Sequence, residues 1–216
     1  MKKNDRLDII YEDKNILVVN KPAHMLCVQT DKGVSTTLYE KVYDYLHKKN
    51  QKVFIVHRLD KDTSGIVLFS KNENLKNKLQ DNWNDIVKVR EYYAIVEGSV
   101  KEDKQTIKQY LKENKQLKTY VAKDGKEAIT HIEVIKRSKN YSILKVLIDT
   151  GRKNQIRVAL ESIGHPIIGD SKYGSTKNPL RRMCLHASKL VLINPITHKE
   201  MEFVCNIPKE FDIFAP

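Results

Sequence analysis

Long apolar runs are missing from this chain of 216 residues. Its mean hydropathy is −0.52, and no stretch approaches the roughly 18 consecutive apolar residues that a membrane-spanning helix requires. The basic N-terminus, MKKNDRLDII, is not followed by the apolar stretch of a secretory signal. These absences argue against membrane and secreted proteins, and we expect a cytoplasmic chain that has no membrane partner.

Cysteine is also scarce. Cys27, Cys184 and Cys205 are far apart and form no CxxC pair, and the seven histidines form no HExxH pattern. Isolated cysteines in a reducing compartment usually serve as small hydrophobic residues. We therefore expect no bound metal.

Positively charged residues, in contrast, are in excess. Lysine and arginine number 39 against 27 acidic residues, which gives a net charge of +12 and a pI near 9.4. Such an excess attracts polyanions, and the attraction weakens with salt. Lysine-rich composition also arises in AT-rich genomes, so charge alone is compatible with a nucleic-acid partner without requiring one.

Strand patterns outnumber helix patterns along the chain. Helical spacing is found only near residues 36–47, 73–83 and after Asn154, which we predict to be a helix N-cap. Because these helices do not alternate regularly with strands, we predict an α+β fold, with a mixed and mainly antiparallel sheet and flanking helices. No polar linker interrupts the chain, so we expect one domain, residues 1–216.

Residues 101–126 hold eight lysines and four acidic residues. Their lysines recur at a spacing that could place them on one helical face. We favour a solvated surface insertion here over a specific RNA clamp. The lysines concerned are Lys101, Lys104, Lys108, Lys112 and Lys115.

The segment HRLDKDTSG, residues 57–65, is the main candidate for chemistry. It lies between two predicted strands, and loops on a rigid sheet commonly carry catalytic groups. For Asp62, Thr63 and Ser64 we favour a simple polar turn. His57 is either an orienting residue or a partly buried side chain with satisfied bonds. The residues alone do not decide the role of Asp60.

A resemblance to a known protein family indicates the role of Asp60. The string HRLDKDTSGIVLFSK is similar to the signature of the RluA family of pseudouridine synthases. Further similar segments follow the family's order, which extends the resemblance from about residue 8 to residue 207. They are ILVVNKPAHMLCVQ, REYYAIVEG, DGKEAITHIEV, DTGRKNQIRVALESIGHPIIGDSKYG and RMCLHASKLVLINPITHKEMEF.

The resemblance implies isomerisation of uridine to pseudouridine in ribosomal or transfer RNA, without a cofactor. We expect the enzyme to be a monomer. The resemblance makes Asp60 the catalytic carboxylate. Tyr92 is similar to the tyrosine that stacks on the target base, and Arg157 to the arginine that pairs with the aspartate. Such an arginine keeps a carboxylate ionised and oriented in a dry pocket.

We assign substrate binding to Arg58, His57, Ile156 and Arg152. Arg58 is similar to the arginine that enters the RNA, Ile156 to an aliphatic residue beside the pocket, and Arg152 is the alternative partner of the aspartate. The chain departs from the family at Asn154 and Ala159, where relatives often have histidine. Because the first similar segment, ILVVNKPAHMLCVQ, begins within the first twenty residues, we expect no N-terminal S4 domain.

The two adjacent tyrosines are separated by strand geometry. Alternate residues of a strand face opposite sides, and the face of Tyr93 is the more apolar one. The face of Tyr92 also carries Lys88 and Arg90. We therefore expect Tyr93 to pack in the core and Tyr92 to face the RNA.

Two other classes of function compete with an RNA-modifying enzyme. A non-catalytic RNA-binding or ribosome-assembly protein would not need Asp60, Tyr92 and Arg157 together. An aspartate enzyme of the phosphoryl-transfer class would need a glycine-rich phosphate loop or an acidic metal cluster, and neither motif is present.

Overall fold

The computed structural model describes residues 6–29 and 36–214. In chain order the elements are β1 (Ile9–Glu12), β2 (Ile16–Lys21), α1 (Leu38–His47), β3 (Phe54–Ile55), β4 (Ser64–Ser70), α2 (Glu73–Asp81), α3 (Trp83–Ile86), β5 (Val87–Glu97), β6 (Lys104–Glu113), β7 (Thr119–Val121), β8 (Lys126–Arg137), β9 (Tyr141–Ile148), α4 (Gln155–Ser162), β10 (Leu185–Ile193) and β11 (Glu200–Val204), with 3-10 turns at Ser171–Tyr173 and Lys209–Phe214.

The chain divides into two compact units. The first contains the described residues up to Lys88 together with Ala187–Cys205, and the second contains Val89–His186 and the described residues from Asn206 onward. Strand pairs within each unit are antiparallel. The predicted α+β class with a mainly antiparallel sheet is therefore confirmed, whereas the single catalytic domain stays a prediction. In the described ranges, no helix is long and apolar enough to cross a bilayer.

The first unit is built on a sheet buried on both faces. In β2 and β4 the side chains alternate between two clusters, as strand geometry dictates. Leu17, Val19, Val67 and Phe69 pack under α1, which begins with a capping box of Thr37 and Glu40. Ile16, Val18, Ile66 and Leu68 pack on the other side with α2.

The second unit has the strand order β5-β9-β8-β6-β7. One face of this sheet carries buried side chains such as Ile107, Ile132 and Val146, and α4 packs against it through Ile156 and Leu160. The opposite face of β6 and β8 is largely polar. Helix α4 is buried along its first six residues, so it contacts the rest of the unit on more than one side.

The helical interpretation of residues 101–126 is wrong. Residues Lys104–Glu113 and Thr119–Val121 are strands, and β6 pairs with β8 along its length. Lys104, Lys108 and Lys112 are four residues apart, and this spacing fits one face of a helix as well as one face of a strand. Pairing with β8 makes the segment a strand and places Ile107 and Leu111 on its buried face.

Candidate functional site

The HRLDKDTSG segment connects β3 to β4 in the first unit. The Thr63 N–H donates to the Asp60 carbonyl at 3.2 Å, which closes a turn. Thr63 and Ser64 are buried. Gly65 has φ +113°, and a Cβ there would overlap the Ala187 backbone, so only glycine fits this close approach. Asp60 thus stands on a tight turn immediately before a buried strand.

A buried lysine holds the backbone on one side of Asp60. Lys21, at the end of β2, is fully buried. Its Nζ donates to the carbonyls of Lys61 at 2.9 Å, Met25 at 2.9 Å and Pro22 at 3.0 Å. A buried ammonium is tolerated only where such acceptors satisfy it. The three bonds therefore join residues 21–25 to the residue that follows Asp60.

A buried thiol holds the backbone on the other side. The Leu59 N–H donates to Cys27 Sγ at 3.3 Å, and the thiol donates to the Leu59 carbonyl at 3.4 Å. Burial raises the pKa of the Cys27 thiol. The thiol therefore keeps the proton that it donates to Leu59. The expectation that Cys27 serves only as a small hydrophobic residue was incomplete.

His57 makes a bond to the sheet. Its Nε2 accepts the Leu68 N–H of β4 at 3.1 Å, and its ring centroid lies 4.9 Å from that of Trp83. Of the two interpretations of His57, these contacts favour a partly buried side chain with a structural bond. Arg58 is exposed, as an arginine that enters RNA has to be.

Asp62 was expected to serve only in a polar turn, but its side chain contacts His24. Its Oδ1 lies 3.0 Å from Nδ1 of His24, and both side chains are partly exposed. Asp62 therefore contacts another segment through its carboxylate. Because exposed ion pairs of this type contribute little stability, Asp62 is a suitable control residue for Asp60.

The two tyrosines of β5 lie in the second unit on opposite faces. Tyr93 stacks on Phe211 with centroids 6.2 Å apart, and burial raises its pKa. Tyr92 is half-buried and pairs in register with Val146. Arg90, on the face of Tyr92, donates to the Asp149 carbonyl. Both tyrosines pack against the core of the unit, so packing alone does not separate their roles, and the role of Tyr92 toward RNA stays a prediction.

Arg157 is buried at the start of α4 and is fixed by a carboxylate. Its Nε and Nη2 each donate to Asp170 at 2.7 Å, and Nη1 donates to Asn154 Oδ1 at 2.9 Å. The guanidinium also lies 4.7 Å from the ring centroid of Tyr173.

Asn154 is the N-cap residue of α4, as predicted, but its side chain makes no capping bond. With φ +53°, it turns its amide toward Arg157 and donates to the Tyr173 hydroxyl at 3.1 Å. That hydroxyl also accepts the Thr119 N–H at 3.1 Å. The departure from histidine at position 154 therefore places an amide in the network around Arg157.

Two further predicted site residues, Arg152 and Ile156, lie near the start of α4. Arg152 is exposed, and its Nε donates to the Glu127 carbonyl at 2.9 Å. Its N–H donates to Gln155 Oε1 at 3.0 Å, so a buried glutamine fixes the loop before α4. Ile156 is buried in the core of the unit. The substrate roles of Arg152 and Ile156 stay predictions.

Comparison with known proteins decides the family. The family model described as RNA pseudouridylate synthase matches residues 15–162 of this chain. The chain belongs to the RNA pseudouridylate synthase family. This confirms the resemblance read from the sequence, and the protein is an isomerase whose substrate is RNA. Family membership therefore favours the enzyme over both competing classes of function.

The relatives support this family across nearly the whole chain. A Bacillus subtilis protein named as an uncharacterized RNA pseudouridine synthase, YlyB, is 34% identical over 213 residues, covering 94% of this chain and 70% of that protein. The ribosomal large subunit pseudouridine synthase D of Haemophilus influenzae is 33% identical over 228 residues, covering 97% and 70%. The fold is that of human RNA pseudouridylate synthase domain containing 1, with a TM-score of 0.78 and 24% identity over 96% of this chain and 85% of that one.

Four side chains of this pseudouridine synthase family member were assigned no functional role from the sequence. They are Lys21, Cys27, Asp170 and Tyr173. One signal was available for Lys21: a lysine that directly continues the apolar run ILVVN is a candidate for burial. The others fall in segments whose order resembled the family but whose individual contacts depend on distant residues.

Proposed function

We propose that this pseudouridine synthase isomerises uridine in ribosomal RNA and that Asp60 is its catalytic carboxylate. The proposal is supported by hydrogen bonds to the backbone on both sides of Asp60. Cys27 bonds to Leu59, and Lys21 bonds to Lys61. A functional site needs its residues held in position by supporting contacts of this kind. Asp60 is the carboxylate at the centre of that loop.

The reaction exchanges one glycosidic bond for another. The bond from ribose C1′ to N1 of uracil breaks, the bond from C1′ to C5 forms, and the C5 proton is replaced by one on N1. No electrons are gained or lost, which fits the expectation that no cofactor takes part. Asp60 can start this exchange by attacking the ribose, by attacking the base, or by promoting elimination to a glycal.

Arg157 and Tyr92 have supporting roles in this proposal. A guanidinium beside a carboxylate stabilises its ionised form and fixes its direction. Arg157 suits this role because Asp170 and Asn154 already orient its plane. Tyr92 supplies a flat ring for the base, which must leave its stack before the enzyme can act on it. Stacking of this type contributes about 1–3 kcal/mol.

The choice of ribosomal RNA is supported by relatives named as ribosomal large subunit pseudouridine synthase D. The net charge of +12 suits a large polyanion of this kind. Transfer RNA is the alternative substrate. We also propose that the protein is cytoplasmic and that it is a monomer. Sedimentation of the purified protein tests the oligomeric state.

The catalytic assignment is tested by Asp60→Ala and Asp60→Asn. Both variants should lose pseudouridine formation in single-turnover assays, whereas their RNA affinity should fall little, because many lysines share the attraction of the RNA. Asp62→Ala is the matched control and should retain activity. Substantial turnover by Asp60→Ala would rule out the assignment.

The substrate is tested by mapping pseudouridines in total cellular RNA with and without the protein. Loss of a site in large-subunit ribosomal RNA is the expected result. Loss confined to transfer RNA would contradict the substrate proposal and leave the catalytic role of Asp60 intact. Restoration by the wild type and not by Asp60→Ala links the lost site to the proposed chemistry.

A further inference from the structure

Two exposed tyrosines and a lysine share one face of the sheet in the second unit. Tyr110 and Lys112 are two residues apart in β6, and Lys112 pairs in register with Tyr120 of β7. Residues two apart on a strand, and residues directly opposite on its neighbour, face the same side. The tyrosines are 44% and 40% exposed. Their diagonal relation separates them by about 7–8 Å, which suits two separate bases.

The strands that carry these tyrosines are firmly held. The Ala122 N–H donates to the Tyr110 carbonyl at 2.8 Å. Thr119, at the start of β7, is buried and donates to the Tyr173 hydroxyl. Gly125 approaches the β6 backbone so closely that a Cβ would overlap it. A rigid platform loses little conformational entropy when a ligand stacks on it.

The surroundings of the platform are basic. Residues 108–127 contain six lysines and three acidic residues, a net charge of +3. Lys108 pairs with Glu127 and Lys112 with Asp124, but these partners are largely exposed. Exposed ion pairs of this kind contribute little to stability, so phosphates can replace the carboxylates at small cost.

This platform is distinct from the face of Tyr92. The strand registers align Tyr92 with Val146, Val146 with Ile132, and Ile132 with Gln105 on one face of the sheet. Gln105 and Tyr110 are five residues apart in β6, so their side chains lie on opposite faces. An RNA contact at Tyr110 is therefore additional to the base contact expected at Tyr92.

We infer that the platform of Tyr110, Lys112 and Tyr120 binds a single-stranded segment of the RNA substrate away from the target uridine. Aromatic side chains stack on bases of any sequence, and neighbouring lysines follow the phosphates. A duplex keeps its base faces stacked inside, so the platform selects unpaired RNA. This inference rests on RNA being the substrate and not on the role of Asp60.

The test measures binding of a fluorescein-labelled 20-nucleotide oligouridylate, and of the same strand in a duplex, by anisotropy over a range of salt. The double substitution Tyr110→Ala and Tyr120→Ala should weaken single-strand binding about tenfold or more. The slope of affinity against salt should not change, because no charge is lost. Lys112→Ala should instead lower that slope by about one.

Matched variants separate stacking from misfolding. Tyr110→Phe with Tyr120→Phe retains both rings and should bind like the wild type. Tyr43→Ala removes a tyrosine of α1 that is 47% exposed and should change nothing. Unchanged single-strand binding by the double alanine variant, or equal loss on single strand and duplex, would overturn the inference. Asp60→Ala should bind normally here, so this test stands apart from that of the catalytic role.

Discussion

The protein holds its two predicted catalytic charges in different ways. The loop of Asp60 is held through its backbone, by the ammonium of Lys21 and the thiol of Cys27. Arg157 is held through its own side chain, by the carboxylate of Asp170. Hydrogen bonds to the backbone fix the position of a residue, whereas hydrogen bonds to the side chain fix the direction of its charge.

This difference suits the proposed chemistry. A carboxylate that attacks or takes a proton has to stand at the right distance from the reacting atoms, and a fixed backbone supplies that position. A counter-charge acts best when it is oriented before the reaction, because reorientation costs free energy at the transition state. We therefore expect damage to the Arg157 network to slow catalysis first, and damage to the loop to lower local stability first.

The largest effect is expected for Asp170→Asn, which removes the counter-charge of Arg157 and keeps the shape of the side chain. A buried charge left without its partner costs about 3–5 kcal/mol of the free energy of unfolding. Loss of guanidinium orientation should slow single turnover about 100-fold, with little change in RNA affinity. Urea unfolding and rapid-quench kinetics measure the two effects.

Glu161→Gln provides the control, because it removes an exposed carboxylate from the same helix, α4. It should leave both stability and turnover nearly unchanged. Wild-type turnover by a folded Asp170→Asn variant would contradict the view that Arg157 acts through a fixed orientation.

The next largest effect is expected for Lys21→Met, which leaves three partly buried carbonyls without this donor. A buried unsatisfied group costs about 1–3 kcal/mol, and because these carbonyls are only partly buried, we expect the free energy of unfolding to fall by a total within that range. Hydrogen exchange should show faster opening of the loop from residue 59 to residue 63. Turnover should decline because the loop is disordered.

Lys61→Met removes an exposed lysine next to Asp60 and should affect neither quantity strongly. If exchange in the loop is the same in Lys21→Met as in the wild type, the backbone hold described for Asp60 is not what positions it.

The smallest effect is expected for Cys27→Val, which replaces the thiol by an apolar group of similar size. The Leu59 N–H and carbonyl lose their shared partner, at a cost of about 1 kcal/mol. Exchange of the Leu59 amide should accelerate, and turnover should fall less than tenfold. Cys205→Val, a buried cysteine in the same unit, should leave the Leu59 amide unchanged, and an equal acceleration in both variants would argue against a specific role of Cys27.

Local patterns in the sequence were sufficient for most elements. The segments that form β5 and β9 are rich in β-branched and aromatic residues, which favour strands. Helix α1 follows from helical spacing of Leu38, Val42 and Leu46. The helical interpretation of the lysine-rich segment was wrong, because the spacing of Lys104, Lys108 and Lys112 fits a strand as well as a helix. Only pairing with β8 decides between the two.

The sequence by itself determined the family and the α+β class, because short motifs and local periodicity encode both. It also singled out Asp60, Tyr92 and Arg157 as candidates. Only the tertiary structure decided what holds Asp60 and Arg157. Lys21 lies 40 positions from Lys61, and Asp170 lies 13 positions from Arg157. No local periodicity reports such pairs, because burial and hydrogen bonding between distant segments exist only after the chain has folded.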